Sequence, residues 1–168
     1  IDYVQRDTRE WKLNLKPMDI ASLLSGLETM LESEVTLTKR RWVSDIRVPA
    51  GVDIPVDEGM IIRAMENLVQ NAVRYSPEES TVRFAAFQSG DSLHVAITNE
   101  GAGIDPADLP HVFDPFVRGA RDRKGHGLGL GLSTVEAIIS SHGWRITADS
   151  RPGNTTFTVF IPLEDPAS

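Results

Sequence analysis

The sequence predicts an α+β fold, a layered sandwich of helices and mostly antiparallel strands. Three observations predict it. Apolar residues recur at helical spacing in two long segments, around Ile20–Leu31 and Ile61–Ala72. β-rich runs flank two hairpin signals, Ser89-Gly90-Asp91 and Pro152-Gly153-Asn154. Between them lies a glycine-rich stretch, 99–131, with no sustained period. An irregular segment of roughly thirty residues is unusual inside a compact domain and is commonly a binding loop or lid. The function is therefore sought there.

The elements follow in order. Residues 1–10 are charged and lack Gly and Pro, as at the end of a helix, and a chain opening on Ile1 reads as a fragment. Residues 11–15 alternate like a short strand, Pro17 punctuates, and Asp19 is placed to cap a helix bearing Ile20, Leu23, Leu24, Leu27, Met30 and Leu31. Strands are expected at 41–48 and 53–56, after which Asp57 caps a second helix over 58–75. Its Ile61, Met65, Leu68 and Ala72 form one apolar stripe, and Ser76-Pro77 stops it. Strands at 81–87 and 93–98 make the first hairpin. A short helical piece is expected around 107–113, a helix over 132–141 ended by His142-Gly143, and strands at 144–148 and 155–161.

Composition removes several classes of function. The 168 residues (18.5 kDa) suit one domain with a sizeable core. Hydrophobic residues are 40% and charged residues 24%, which argues against disorder. Lys and Arg number 17 against 24 Asp and Glu, a formal charge of −7. That balance disfavours a general nucleic-acid binder, which needs a basic face to displace phosphate counterions. Cysteine is absent, so disulfides, thiolate catalysis and Cys-based zinc sites are excluded. No apolar run approaches the roughly 20 residues that span a bilayer, so the sequence reads as an intracellular, cytoplasmic domain.

Several residues could carry chemistry. Asn67 and Asn71 share one helix face, and Arg74 and Tyr75 continue its edge. Carboxamide oxygens are hard neutral ligands suited to Mg²⁺, Arg74 could neutralise a phosphate, and Tyr75 offers a flat face to a base. Read alone, the same face is the solvated edge of an ordinary helix. Asn99-Glu100-Gly101-Ala102-Gly103-Ile104 follows a strand, and its glycines permit close approach to a ligand or simply a tight turn. Gly125-His126-Gly127-Leu128-Gly129-Leu130-Gly131 is more specific. Alternating glycines expose successive N–H groups as an anion nest, and the next helix adds a positive dipole end. A flexible hinge is its alternative. Phe113 and Phe116 could anchor a lid and Arg118 could reach a phosphate, or all three could belong to a satellite cluster under a long loop. Of the four histidines only His126 sits in such a stretch, and no nucleophile has a base beside it.

Taken in order, these stretches resemble the boxes of sensor histidine kinases. Glu66-Asn67-Leu68-Val69-Gln70-Asn71-Ala72-Val73-Arg74-Tyr75-Ser76-Pro77 is similar to their N box, 99–104 to the first glycine box, 113–118 to the F box and 125–133 to the second glycine box. The resemblance covers nearly the whole chain. It implies the Bergerat fold, a mixed, mostly antiparallel sheet packed on three helices with a long ATP lid. It further implies that 1–10 is the tail of an upstream dimerisation and phosphoacceptor helix and 11–168 the ATP-binding catalytic domain.

Carried over by position, the resemblance implies ATP and Mg²⁺ as cofactors. Asn71 would bind the metal with Asn67 supporting it, Arg74 would lie near the phosphates, and Tyr75 against the nucleotide. Gly101, Gly103 and Ile104 would line the adenine side and Phe116 the lid. Arg118 would approach the terminal phosphate, and the amides of 125–131 would wrap the phosphate chain. The implied partners are the protein's own histidine-bearing dimerisation domain and a receiver domain of a response regulator. The whole protein would be a homodimer, either cytoplasmic or anchored in the inner membrane, and this chain alone a monomer.

The sequence departs from the family pattern in two places. Asn99 stands where the family has the aspartate that accepts from the adenine amino group. A carboxamide can still accept, but one free to flip would also suit guanine, so base selection is expected to be less stringent. The second glycine run is long, leaving open whether Gly125 or Gly127 takes its first role. No histidine followed by an acidic residue at a helix start occurs in the chain, so the acceptor imidazole would come from elsewhere. Two alternatives remain. One is a degenerate docking domain with weak nucleotide binding, supported by Asn99. The other is a different ATPase of the superfamily, such as an anti-sigma serine kinase or a topoisomerase-type enzyme. The latter carry a glutamate four residues before the metal asparagine; here that place is Asn67, and Glu66 lies about 100° around the helix.

Overall fold

A computed structural model describes residues 12–115 and 131–163. Strand β1 (Lys16–Asp19) leads into helix α1 (Ile20–Thr36), followed by β2 (Arg41–Arg47) and β3 (Asp53–Val56). Helix α2 (Glu58–Arg74) comes next, then the hairpin β4 (Thr81–Ser89) and β5 (Ser92–Gly101). A 3₁₀ turn at Leu109–His111, helix α3 (Gly131–Ser141) and the hairpin β6 (Arg145–Arg151) and β7 (Gly153–Pro162) complete the described residues.

Both long helices start where a carboxylate can cap them. The Asp19 side chain accepts from the Ser22 N–H (3.0 Å) and from the Gly51 N–H (3.1 Å), so it caps α1 and fixes the turn before β3 at once. The bonds from Ser22 hold its carboxyl below the usual range. Asp57 caps α2 through the Met60 N–H (3.2 Å) and accepts from the Asn14 N–H (2.9 Å), which lowers its pKa in the same way.

The main sheet has the order β2-β4-β5-β7-β6. Every neighbouring pair is antiparallel except β2 with β4, because the chain returns through β3 and α2 before β4 begins. One face carries the inward residues of alternating strands, Val82, Phe84 and Ala86 on β4, Leu93, Val95 and Ile97 on β5, and Phe157, Val159 and Ile161 on β7. The helices lie on that face, bringing Leu24, Leu31, Leu68, Ile138 and Ile139 against it. Burying each such side chain contributes roughly 1.5–3 kcal/mol, so this interface dominates the fold's stability. The expected stripe of Ile61, Met65, Leu68 and Ala72 is buried throughout.

The sequence reading needs four corrections. The first described strand is Lys16–Asp19 rather than 11–15, and Pro17 lies inside it. Proline is tolerated there because β1 pairs only with β3, as an edge. These two strands form a small second sheet that was not expected. β5 runs on through Asn99 and Glu100 to Gly101, so the irregular segment begins later, because β7 keeps pairing with it as far as Gly153. The helical piece at 107–113 shrinks to a single 3₁₀ turn at Leu109–His111, flanked by turns. Among the described residues no helix is long and apolar enough to cross a membrane.

Candidate functional site

Helices α2 and α3 run antiparallel. Asp57, before α2, meets His142, after α3, while Asn67 Nδ2 reaches the carbonyl of Gly131 at the start of α3 (3.5 Å). The first turn of α3, with its unsatisfied N–H groups and positive dipole end, therefore lies beside the Asn67 face of α2. Asn71 follows one turn later on the same face and is partly buried. Arg74 ends α2, and Tyr75 caps it with its N–H on the Asn71 carbonyl (3.2 Å), leaving the ring 42% exposed. Glu66 faces away toward α1, where its charge adds to burial in raising the Glu34 carboxyl.

The end of β5 meets the C-terminus of α2. A Cβ at Gly101 would stand 2.4 Å from the Tyr75 carbonyl oxygen, and the residue holds φ +151°, so only glycine lets the strand pass that close. Gly103 is the second tight position, at φ +83°, where a Cβ would stand 2.9 Å from the Arg151 carbonyl oxygen. The next residue is tied down by a hydroxyl pair. The Ile104 N–H donates to Ser150 Oγ (2.7 Å), which lies 2.9 Å from Thr155 Oγ1.

Asn99 is buried (3% exposed) between Val82 and Thr155 on the neighbouring strands. Its Nδ2 donates to the Glu100 carbonyl (3.1 Å). A flip of the carboxamide would set its oxygen against that carbonyl and lose the bond. The free flip expected from the sequence is thus opposed, and Oδ1 is kept as the acceptor.

The structure therefore brings Asn67, Asn71, Tyr75, Asn99, Gly101 and Gly131 around the C-terminal half of α2, with Gly103 and Ile104 continuing along the β6–β7 hairpin. Phe116, Arg118, Gly125, His126, Gly127, Leu128, Gly129 and Leu130 lie outside the described residues. Phe113 is within them and packs edge-on against Phe157 of the core, centroids 6.0 Å apart.

Three supporting residues escaped the sequence reading. Ser150 and Thr155 look like ordinary strand residues, and only the buried hydroxyl at a strand end could have marked them. Arg40 secures the residue after Tyr75, donating from NH2 to the Ser76 carbonyl (2.7 Å) and from Nε to its hydroxyl (3.3 Å). His142 is structural. Its Nε2 accepts from the Asp57 N–H (3.1 Å), its Nδ1 pairs with the Ile138 carbonyl (2.8 Å), and its ring lies against Trp144. Burial holds its pKa below the ordinary histidine value.

A glycine-lined turn, a carboxamide pair on one helix and a second helix N-terminus beside it form a nucleotide-ATPase arrangement, and the family comparison agrees. Residues 56–165 match the model for histidine kinase-, DNA gyrase B-, and HSP90-like ATPases, and the chain belongs to that family. It is 34% identical over 159 residues to the sensor-like histidine kinase SenX3 of Mycolicibacterium smegmatis, an alignment covering 92% of this chain and 41% of SenX3. Over 166 residues it is 32% identical to the sensor histidine kinase WalK of Bacillus subtilis, covering 95% of this chain and 26% of WalK. The chain thus spans less than half the length of these relatives. Among solved structures it shares its fold with the mycobacterial sensor histidine kinase MprB. The TM-score is 0.75 at 23% identity, covering 89% of this chain and 99% of that one. The mixed five-stranded sheet on three helices is the fold of histidine kinase catalytic domains.

Proposed function

We propose that residues 11–168 are the catalytic domain of a two-component sensor histidine kinase, which binds Mg·ATP and donates its γ-phosphoryl group to a histidine on a separate dimerisation domain. Residues 1–10 would be the tail of that domain's helix. The observation that carries this reading is the convergence of Asn67 and Asn71 with the first turn of α3 and the glycine turn after β5.

The described residues fit a nucleotide and a hard divalent ion. Neutral carboxamide oxygens suit a metal that keeps most of its waters and shares oxygens with phosphates. Gly131 has nothing within 4 Å of where a Cβ would stand, which leaves the start of α3 open to an anion. Asn99 offers a buried acceptor of fixed orientation to an exocyclic amino group. When bound, Mg·ATP supplies an activated phosphoryl group whose charge the ion partly neutralises.

The chain's own residues then do the positioning. Asn71 ligates the ion, and Asn67 supports it from one turn earlier. Arg74 and Arg118 offset phosphate charge, the amides of 125–131 wrap the phosphates, and Tyr75, Ile104 and Phe116 bound the base and lid. Such transfer depends on positioning and charge stabilisation, so the domain needs no nucleophile of its own. The acceptor imidazole attacks the γ-phosphorus, and ADP leaves. In the whole protein, a homodimer, the phosphoryl group would pass on to a receiver domain.

Supplying γ-labelled ATP and Mg²⁺ to the chain, with and without the histidine-bearing hairpin of its own protein, tests this. Label stable to alkali and labile to acid should reach the hairpin, and none should reach the chain alone. Label on one of the chain's own histidines, or an unlabelled hairpin despite bound ATP, would overturn the proposal.

A further inference from the structure

The outer face of the five-stranded sheet carries a pattern that nucleotide chemistry does not use. One register line crosses all five strands and reads Arg47, Phe87, His94, Phe160, Arg145. Its rings touch in series. Phe87 and His94 have centroids 5.1 Å apart, His94 and Phe160 4.6 Å, and the Arg145 guanidinium lies 4.4 Å over Phe160. Phe87 remains 43% exposed, on the side of β4 opposite the buried Phe84. The next outward line holds only short side chains across the middle strands, Ala85, Ala96 and Thr158. A shallow trough therefore runs beside an aromatic ridge roughly 19 Å long, from four strand spacings of about 4.8 Å. Among the described residues nothing packs over it, since the helices lie on the other face.

The charge on this face differs from that of the chain. The molecule carries −7, yet the outward carboxylates Asp45 and Asp149 already face Arg47 (2.9 Å) and Arg151 (3.9 Å). Arg83, on the far side of the trough, and Arg145, at the end of the ridge, have no ion-pair partner among the described residues. Apolar rings bordered by unmatched arginines fit an acidic, partly apolar ligand.

We propose that this helix-free face docks an acidic segment of a partner protein, its aromatic or aliphatic side chains seated along Phe87, His94 and Phe160 and its carboxylates on Arg83 and Arg145. The ring angles favour a polypeptide over a nucleic acid. Interplanar angles of 51° and 70° set the rings edgewise against one another, so they offer no flat platform for stacked bases. A cross-strand aromatic pair stabilises a sheet without any partner, but that role does not require unmatched arginines around it.

The test is an amide chemical-shift titration of the chain with a short peptide alternating Glu and Phe. The Lys and Phe counterpart and oligothymidylate serve as comparison probes. The acidic peptide should move the amides of Phe87, His94, Phe160 and their outward neighbours, more weakly as salt rises. Arg83→Glu with Arg145→Glu should lower its affinity about tenfold or more, the scale of two exposed charge contacts reversed. Both sites are on the surface, so the melting curve should stay in place. Absence of shifts on this face would overturn the proposal. So would equal binding of the Lys peptide, tighter binding of oligothymidylate, or unchanged affinity in a folded double variant.

Discussion

Replacing Gly101 by alanine tests the contact that joins the sheet to the nucleotide helix. The new methyl would stand 2.4 Å from the Tyr75 carbonyl oxygen, inside the 3.0 Å that real Cβ atoms do not breach, and the obstacle is backbone, which cannot swing aside. Overpacking of this kind costs about 1–3 kcal/mol, and holding alanine near φ +151° adds strain of similar order. A net loss of about 3 kcal/mol would lower the melting temperature of a chain this size by roughly 6–12 °C. The displaced carbonyl belongs to the residue whose N–H caps α2 on Asn71, so affinity for Mg·ATP should fall together with stability. Gly26→Ala provides the contrast. It sits inside α1 with nothing within 4 Å of its Cβ, and should stabilise by about 0.5–1 kcal/mol. Differential scanning calorimetry of both variants reads the difference. A Gly101→Ala protein that melts with the parent would refute the close approach of β5 to α2.

Two further expectations concern single side chains. His142 accepts the Asp57 N–H only as a neutral ring, and burial keeps its folded pKa below the 6.5 of the free side chain. The unfolded chain therefore takes up the proton first. The stability this contact confers is full above about pH 6.5 and is lost as pH falls toward the folded value. Melting temperature should drop from about pH 7 to about pH 5 more steeply in the parent than in His142→Gln, and parallel curves would contradict this. For Asn99, the carboxamide held by the Glu100 carbonyl presents an acceptor, which matches a 6-amino purine and opposes a 6-oxo one. Inosine triphosphate should bind roughly tenfold to a hundredfold more weakly than ATP, the scale of one buried unmatched acceptor, and equal competition by the two would show that the carboxamide turns freely.

Much of this architecture is legible in the residues themselves. The stripe on α2 and the caps Asp19 and Asp57 follow from the 3.6-residue period and from short acceptors at helix starts, and each takes its expected place. β1 was missed because a four-residue edge strand containing Pro17 shows no alternation; its pairing with β3 creates it. The parallel pairing of β2 with β4 is likewise invisible, since a strand's residues do not name its neighbour. The glycines of the turn after β5 and the asparagines of α2 were readable because close approach and metal chemistry demand particular residue types. Ser150, Thr155 and Arg40 were not, since their roles arise from segments distant in sequence meeting in space. The orientation of the Asn99 amide was also beyond reach, because a single backbone carbonyl sets it.

The account rests on a nucleoside triphosphate and its divalent ion binding along the Asn67–Asn71 face. Titration calorimetry of the folded chain with Mg·ATP tests that most directly. One site per chain should release heat, and Asn71→Ala should weaken binding by at least about tenfold, since altering groups behind a metal ligand already costs about tenfold to a hundredfold. No heat with Mg·ATP or Mg·ADP at millimolar concentration, or an Asn71→Ala protein that binds as tightly as the parent, would contradict it.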